Sequence, residues 1–182
     1  MLAYKVLDYR LSDDTVQSLM NGTSWTNAEL KAEHKRPSSG PFYRFIVFEE
    51  KRGVPAGHEA PHVDCDCGIY GVLSHAQIPL WLYESYTDNT DHKFVCVIEL
   101  YGRIIEHEKG YRAEYARPVA VLDYLHGWPP LMKPDDGQLM YTAVAVKASR
   151  VLGVPVHDFG AYDNPLPRPT EFTSLADLQE RD

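Results

Sequence analysis

The strongest hydrophobic pattern lies in the middle of the chain. Residues 93–107 (KFVCVIELYGRIIEH) and 111–122 (YRAEYARPVAVL) are rich in β-branched and aromatic side chains. The EKG between them fits a three-residue hairpin loop with Gly110 at the left-handed position. The pattern therefore predicts a long hairpin, 93–122, that buries Ile98, Leu100 and Ile104. That register sets His107 opposite Tyr111, and Glu106 opposite Arg112 as an opposite-charge pair. Further strands are expected at 3–11 (AYKVLDYRL), 42–51 (FYRFIVFEEK) and 67–74 (CGIYGVLS). Helical stretches are expected at 27–36 behind Asn27, at 75–86 behind Ser74, and at 138–153. The last is capped near Asp136 and stopped by Gly153, with Leu139, Ala143, Val146 and Arg150 on its inner face, flanked by Tyr141 and Lys147. Together these predict an α+β fold: a mainly antiparallel sheet around the hairpin 93–122, with two or three helices. Residues 1–160 form one domain. Residues 161–182 form a Pro-rich tail ending in a short helix.

Composition narrows the function classes. The chain has 182 residues, 44% of them hydrophobic, enough for one domain with a sizeable core. A net charge of -8 argues against charge-driven binding to nucleic acid and leaves a basic protein surface as a natural partner. No apolar run reaches membrane-spanning length, and the first twenty residues lack the pattern of a signal peptide. Three cysteines do not make a disulfide framework, so a reducing, cytoplasmic setting is expected, with Cys96 as an inert thiol inside FVCVIEL.

The densest chemistry is HEAPHVDCDCG, residues 58–68. Cys65 and Cys67 are one residue apart, which disfavours a C-x-x-C redox pair. His58 and His62 precede them, His34 lies further upstream, and Pro61 and Gly68 supply turns. A closed zinc site needs four nitrogen or sulfur ligands, and this region has them. The alternative is a loop with inward cysteines and solvated histidines. The hairpin end holds Glu106, His107, Glu108, Arg112 and Glu114, a set suited to general-base chemistry at His107 with Glu106 or Glu114 beside it. Solvated strand-tip charges are the commoner use of such residues. Tyr43, Phe45, Phe48, Trp81, Tyr83 and Tyr86 can form a stacking face for bases, although aromatics at these spacings more often serve a core or a protein interface. No P-loop, dinucleotide fingerprint, G-x-S-x-G or H-E-x-x-H is present.

Two segments, HEAPHVDCDCGIYG and YGRIIEHEKGYRAEYA, resemble a group of small proteins of actinobacteria and their phages. The group's pattern is H-x-A-P-x-x-x-C-x-C-G-[IL]-Y-A, followed by W-G-x-V-x-x-H-x-x-G-x-R-A-E-x-A. His58, Ala60, Pro61, Cys65, Cys67, Gly68, Ile69 and Tyr70 match the first part. Gly102, His107, Gly110, Arg112, Ala113, Glu114 and Ala116 match the second. Gly71 and Tyr101 depart from it. The resemblance covers the first two-thirds of the chain and carries no established activity. It implies that His34 stands where the group often has a cysteine. That favours His34, His58, Cys65 and Cys67 as ligands of a structural zinc ion, with His62 and His107 as alternates. The expected role is a non-enzymatic interaction protein acting on a host or cellular protein. An enzyme using His107 or the cysteine metal site is the alternative, and local nucleic-acid recognition is the weaker one.

Overall fold

Two bulges shape the central hairpin, and the hairpin shapes the fold. The computed structural model describes residues 1–18, 23–26, 29–32, 58–63, 65, 67–74, 77–78, 91–107, 110–123, 134–162 and 166. Strands β1 (Leu2–Arg10), β2 (Thr15–Ser18), β3 (Ser24–Trp25), β4 (Leu30–Lys31), β5 (Ile69–Gly71), β6 (Asp91–His107), β7 (Gly110–Asp123) and β8 (Val156–Asp158) form one sheet, with helix α1 (Pro134–Leu152) between β7 and β8. The path runs β3-β2-β1-β6-β7-β4, and β5 and β8 also pair with β7. All pairings are antiparallel except β7 with β8.

The residue after β5 closes this sheet on itself. Val72 bridges Tyr4 of β1, with Tyr4 N donating to Val72 O (2.7 Å) and Val72 N to Tyr4 O (3.0 Å). The ring β1–β6–β7–β5 is narrow inside. A Cβ placed on Gly71 would lie 2.7 Å from Ala3 Cβ and 3.2 Å from Leu100 Cδ1. Ala3, Ile98 and Leu100 are fully buried there. α1 packs over β7, β6 and β2.

The hairpin 93–122 is the fold's centre, as its pattern predicts, but its register differs. His107 pairs with Gly110 and Glu106 with Tyr111, while Arg112 faces Ile105. Gly110 is a strand residue rather than a loop residue. Its φ of +137 favours glycine, and a Cβ there would come within 2.5 Å of Gly71 O. Ile98 and Leu100 are buried, while Ile104 is only partly so and Ile105 takes the buried place. The register shift between Tyr101 and Ile104 explains this, because Gly102 and Arg103 together oppose Glu114 and the faces exchange. A second shift at Val97/Ile98 accommodates Pro118 in β7.

Among the described residues α1 is the only α-helix, so the expected α+β class with two or three helices is corrected to a mostly β fold with one helix. Within the expected helix 27–36, Leu30 and Lys31 instead pair with Ala116 and Tyr115 of β7, and Ala32 N donates to Glu114 O (2.7 Å). The open edge of β7 offers backbone partners and aromatic contact. A short helix with few apolar positions is not stable enough to compete. Ser74 does open a turn, since Gln77 Oε1 accepts from Ser74 N (3.0 Å), as in a capping box. Apart from residues 77–78, the stretch 75–86 lies outside the described residues, as do the expected strand 42–51 and the tail helix.

α1 ends as predicted. Gly153 has φ +66, Val154 N donates to Ser149 O (3.1 Å) and Gly153 N to Arg150 O (3.3 Å), a Schellman motif. It begins earlier than expected, at Pro134, where a missing N–H costs nothing. Its buried face is Val144, Ala145, Ala148 and Leu152. Ala143 and Arg150 are exposed, and the side chains of Leu139 and Tyr141 lie outside the described ones. The alanines in this helix give two faces similar polarity, so the choice falls to the sheet, against which Ala145 and Ala148 allow close approach. From the Pro-rich segment, Leu166 is buried and its N donates to Leu73 O (2.7 Å).

Candidate metal centre

The described residues of 58–68 make no strand before β5, and they bring three side chains together. The Ala60–Pro61 peptide is cis, and Cys65 N donates to His62 O (3.2 Å). Gly68 has φ +122, and a Cβ there would lie 3.1 Å from both Pro61 Cβ and Arg112 Cβ. Only glycine suits both the conformation and the space. The outcome is a group of His58, Cys65 and Cys67 whose ligand atoms all lie within 4.8 Å of one another, each residue half-buried. This group can hold a metal ion.

The internal distances suit that use. His58 Nε2 lies 3.2 Å from Cys67 Sγ. Zinc–sulfur and zinc–nitrogen bonds of about 2.3 and 2.0 Å give a tetrahedral edge of roughly 3.5 Å, so only a small spreading is needed. Cys67 N donates to Cys65 Sγ (3.3 Å), which ties the two cysteines together. Burial pushes the Cys67 thiol up to about 11, its hydrogen bond with Cys65 adds to this, and the His62 backbone and the Arg112 charge oppose it. A metal that takes Cys67 as thiolate therefore displaces its proton.

Arg112 underlies the loop. It is buried on β7, opposite Tyr70 of β5. Its Nη1 donates to the carbonyl oxygens of His62 (3.4 Å), Cys65 and Cys67 (3.3 Å). The sequence shows Arg112 only as a hairpin charge and a match to the second motif. The available signal was a basic residue between Tyr111 and Ala113 in a strand otherwise patterned for burial.

The other expected site residues are dispersed. His34 lies outside the described residues. His62 packs beside His58, ring centroids 4.7 Å apart, but is not among the three convergent ligands. His107 ends β6 at the register position opposite Gly110, and Glu108 lies outside the described residues. Glu106 accepts a hydrogen bond from Tyr111 OH (3.1 Å), and Glu114 accepts one from Arg103 N (3.4 Å) at the bulge. Glu59, next to His58, forms an exposed ion pair with Arg103 (3.2 Å). No helix among the described residues is long and apolar enough to cross a membrane. No protein family, curated protein or solved structure matches the chain.

Proposed function

We propose that this chain is a cytoplasmic interaction domain that carries structural zinc and acts by binding a cellular partner protein. The convergence of His58, Cys65 and Cys67 carries the reading. Two thiolates and an imidazole are a set that zinc favours, and two thiolates offset the ion's charge. His34 is the fourth ligand in this reading. A closed shell has no open position for substrate, so the ion fixes loop 58–68 against the ring of strands. The carboxylates near His107 support a binding role in a second way. Glu106 and Glu114 are engaged in holding the hairpin's own geometry. The net charge of -8 suits a partner with a basic face.

Elemental analysis of protein purified without a metal-affinity tag tests the zinc reading, which expects close to one zinc per chain. Metal-free protein that melts as the parent does and gains nothing from added zinc would remove it. A pull-down from host lysate, run with and without a chelator, tests the partner. A specific protein retained in both the metal-loaded and metal-stripped arms would separate the interaction from the metal.

A further inference from the structure

Arg112 is the one charged residue among the buried ones described, at 4% exposed. Such burial is costly unless the guanidinium finds hydrogen-bond partners, and here the loop carbonyls supply them at Nη1, while Nε is buried without one among the described residues. One Nη1 gathers the carbonyls of His62, Cys65 and Cys67, while the guanidinium lies 5.9 Å from the Tyr70 ring. The Cys65 and Cys67 carbonyls turn towards the same cation. On the side-chain side of the same residues the two thiols converge with His58, their ligand atoms all within 4.8 Å of one another. The close approach of Gly68 to Arg112 Cβ seats this stretch on β7.

We infer that Arg112 is the positioning residue of the metal site, holding Cys65 and Cys67 through their backbone carbonyls so that both thiols reach one soft divalent ion. This rests on the metal reading above and adds the residue that organises it. The side chain's hydrogen bonds go to main-chain carbonyls. It acts on the backbone that carries two of the ligands. Lysine does not reproduce this, because its ammonium ends one bond short of the Nη1 position and lacks the planar guanidinium that lies beside Tyr70.

The test is a cobalt(II) titration of the full-length, metal-stripped chain, read by thiolate-to-cobalt charge-transfer absorption and by competition with a chelator. The parent should show a two-thiolate band. Arg112→Lys should keep the parent's circular dichroism, lose part of that band, and bind cobalt about 10- to 100-fold more weakly, as groups that orient ligands do. Arg112→Met should lose at least as much. A purely structural role would lower the melting temperature and leave the spectrum and affinity of the folded protein alone, and that result would overturn the inference. Absence of any charge-transfer band in the parent would overturn the metal reading and the inference with it. If Arg112→Lys fails to fold, the parent decides by NMR. Added zinc should slow hydrogen exchange of the Arg112 guanidinium protons, and unchanged exchange would overturn the proposal.

Discussion

Loop 58–68 and the hairpin end 104–114 contain similar chemistry in similar lengths of chain, and the fold uses them differently. The loop holds histidines and thiols, and the hairpin end holds a histidine and carboxylates. In the loop the backbone curls over Arg112, and three side chains converge within 4.8 Å. At the hairpin end the backbone is committed to a ladder, from Ile104↔Ala113 to His107↔Gly110. Pleating sends neighbouring residues to opposite faces, and local partners then occupy what remains, Tyr111 for Glu106 and the Arg103 amide for Glu114. Closeness in sequence becomes a site where the backbone bends. In a strand it is divided between two faces.

The largest effect expected from this contrast is at Cys65. Zinc binding is worth about 10 kcal/mol or more in peptides that fold only with the metal. This sheet has its own core, so Cys65→Ser should cost a fraction of that, about 3–5 kcal/mol, or roughly 6–20 °C in Tm at this chain length. It should also abolish the bound zinc. Ile98→Ala, inside the ring, should cost about 2–5 kcal/mol while leaving zinc content unchanged. Differential scanning calorimetry with elemental analysis on both variants checks the pair. If Ile98→Ala also lost the metal, the loop and the ring would be one cooperative unit and the contrast would fail.

The strand pattern was legible wherever apolar residues ran long, as in β1, β6 and β7. It became unreliable at one-residue choices. The bulge at Gly102 exchanged Ile104 for Ile105 on the buried face, and Gly110, whose missing Cβ leaves room for Gly71 O, pairs with His107 as a strand residue. The first has a local signal, a glycine inside a strand pattern, while the second depends on what a distant strand does. Leu30 and Lys31 show the same limit, since the edge of β7 alone makes them a strand. The grouping of His58, Cys65 and Cys67 was readable from C-x-C and its neighbouring histidine, because a local bend brings residues close in sequence together. Arg112's part in the loop was not, because it needs the β5–β7 pairing to bring residue 112 beside residue 70.

Lys5, on β1, should show a smaller effect that depends on pH. It faces Cys96 in the β1–β6 register, donates to Tyr70 O (3.0 Å) and lies 5.9 Å from the Trp25 ring. Burial lowers its pKa from 10.5 to about 8, with Cys96 weakly opposing. The folded state thus gives up this proton more readily than the unfolded chain. Between about pH 8 and 10.5 the unfolded state binds more protons, so this residue's contribution to stability should increase with pH across that window. Below pH 8 folding carries the cost of desolvating this ammonium. Urea unfolding at intervals from pH 7 to 10 should show the parent gaining on Lys5→Met as pH rises. Parallel curves would mean that the ammonium is as well solvated folded as unfolded.

The smallest effects belong to the hairpin end. Glu106→Gln keeps an acceptor for Tyr111 OH and should change stability by less than about 1 kcal/mol. His107 closes the ladder opposite Gly110. His107→Ala should leave fold, zinc content and partner binding within a few-fold of the parent, because a strand-end position contributes little to packing. These near-neutral outcomes carry weight because the two residues are the best available base and carboxylate. A purified activity that both substitutions abolish, with melting unchanged, would show the hairpin end to be the working site. Loop 58–68 would then be a structural clasp serving it, and the contrast between the two regions would be reversed.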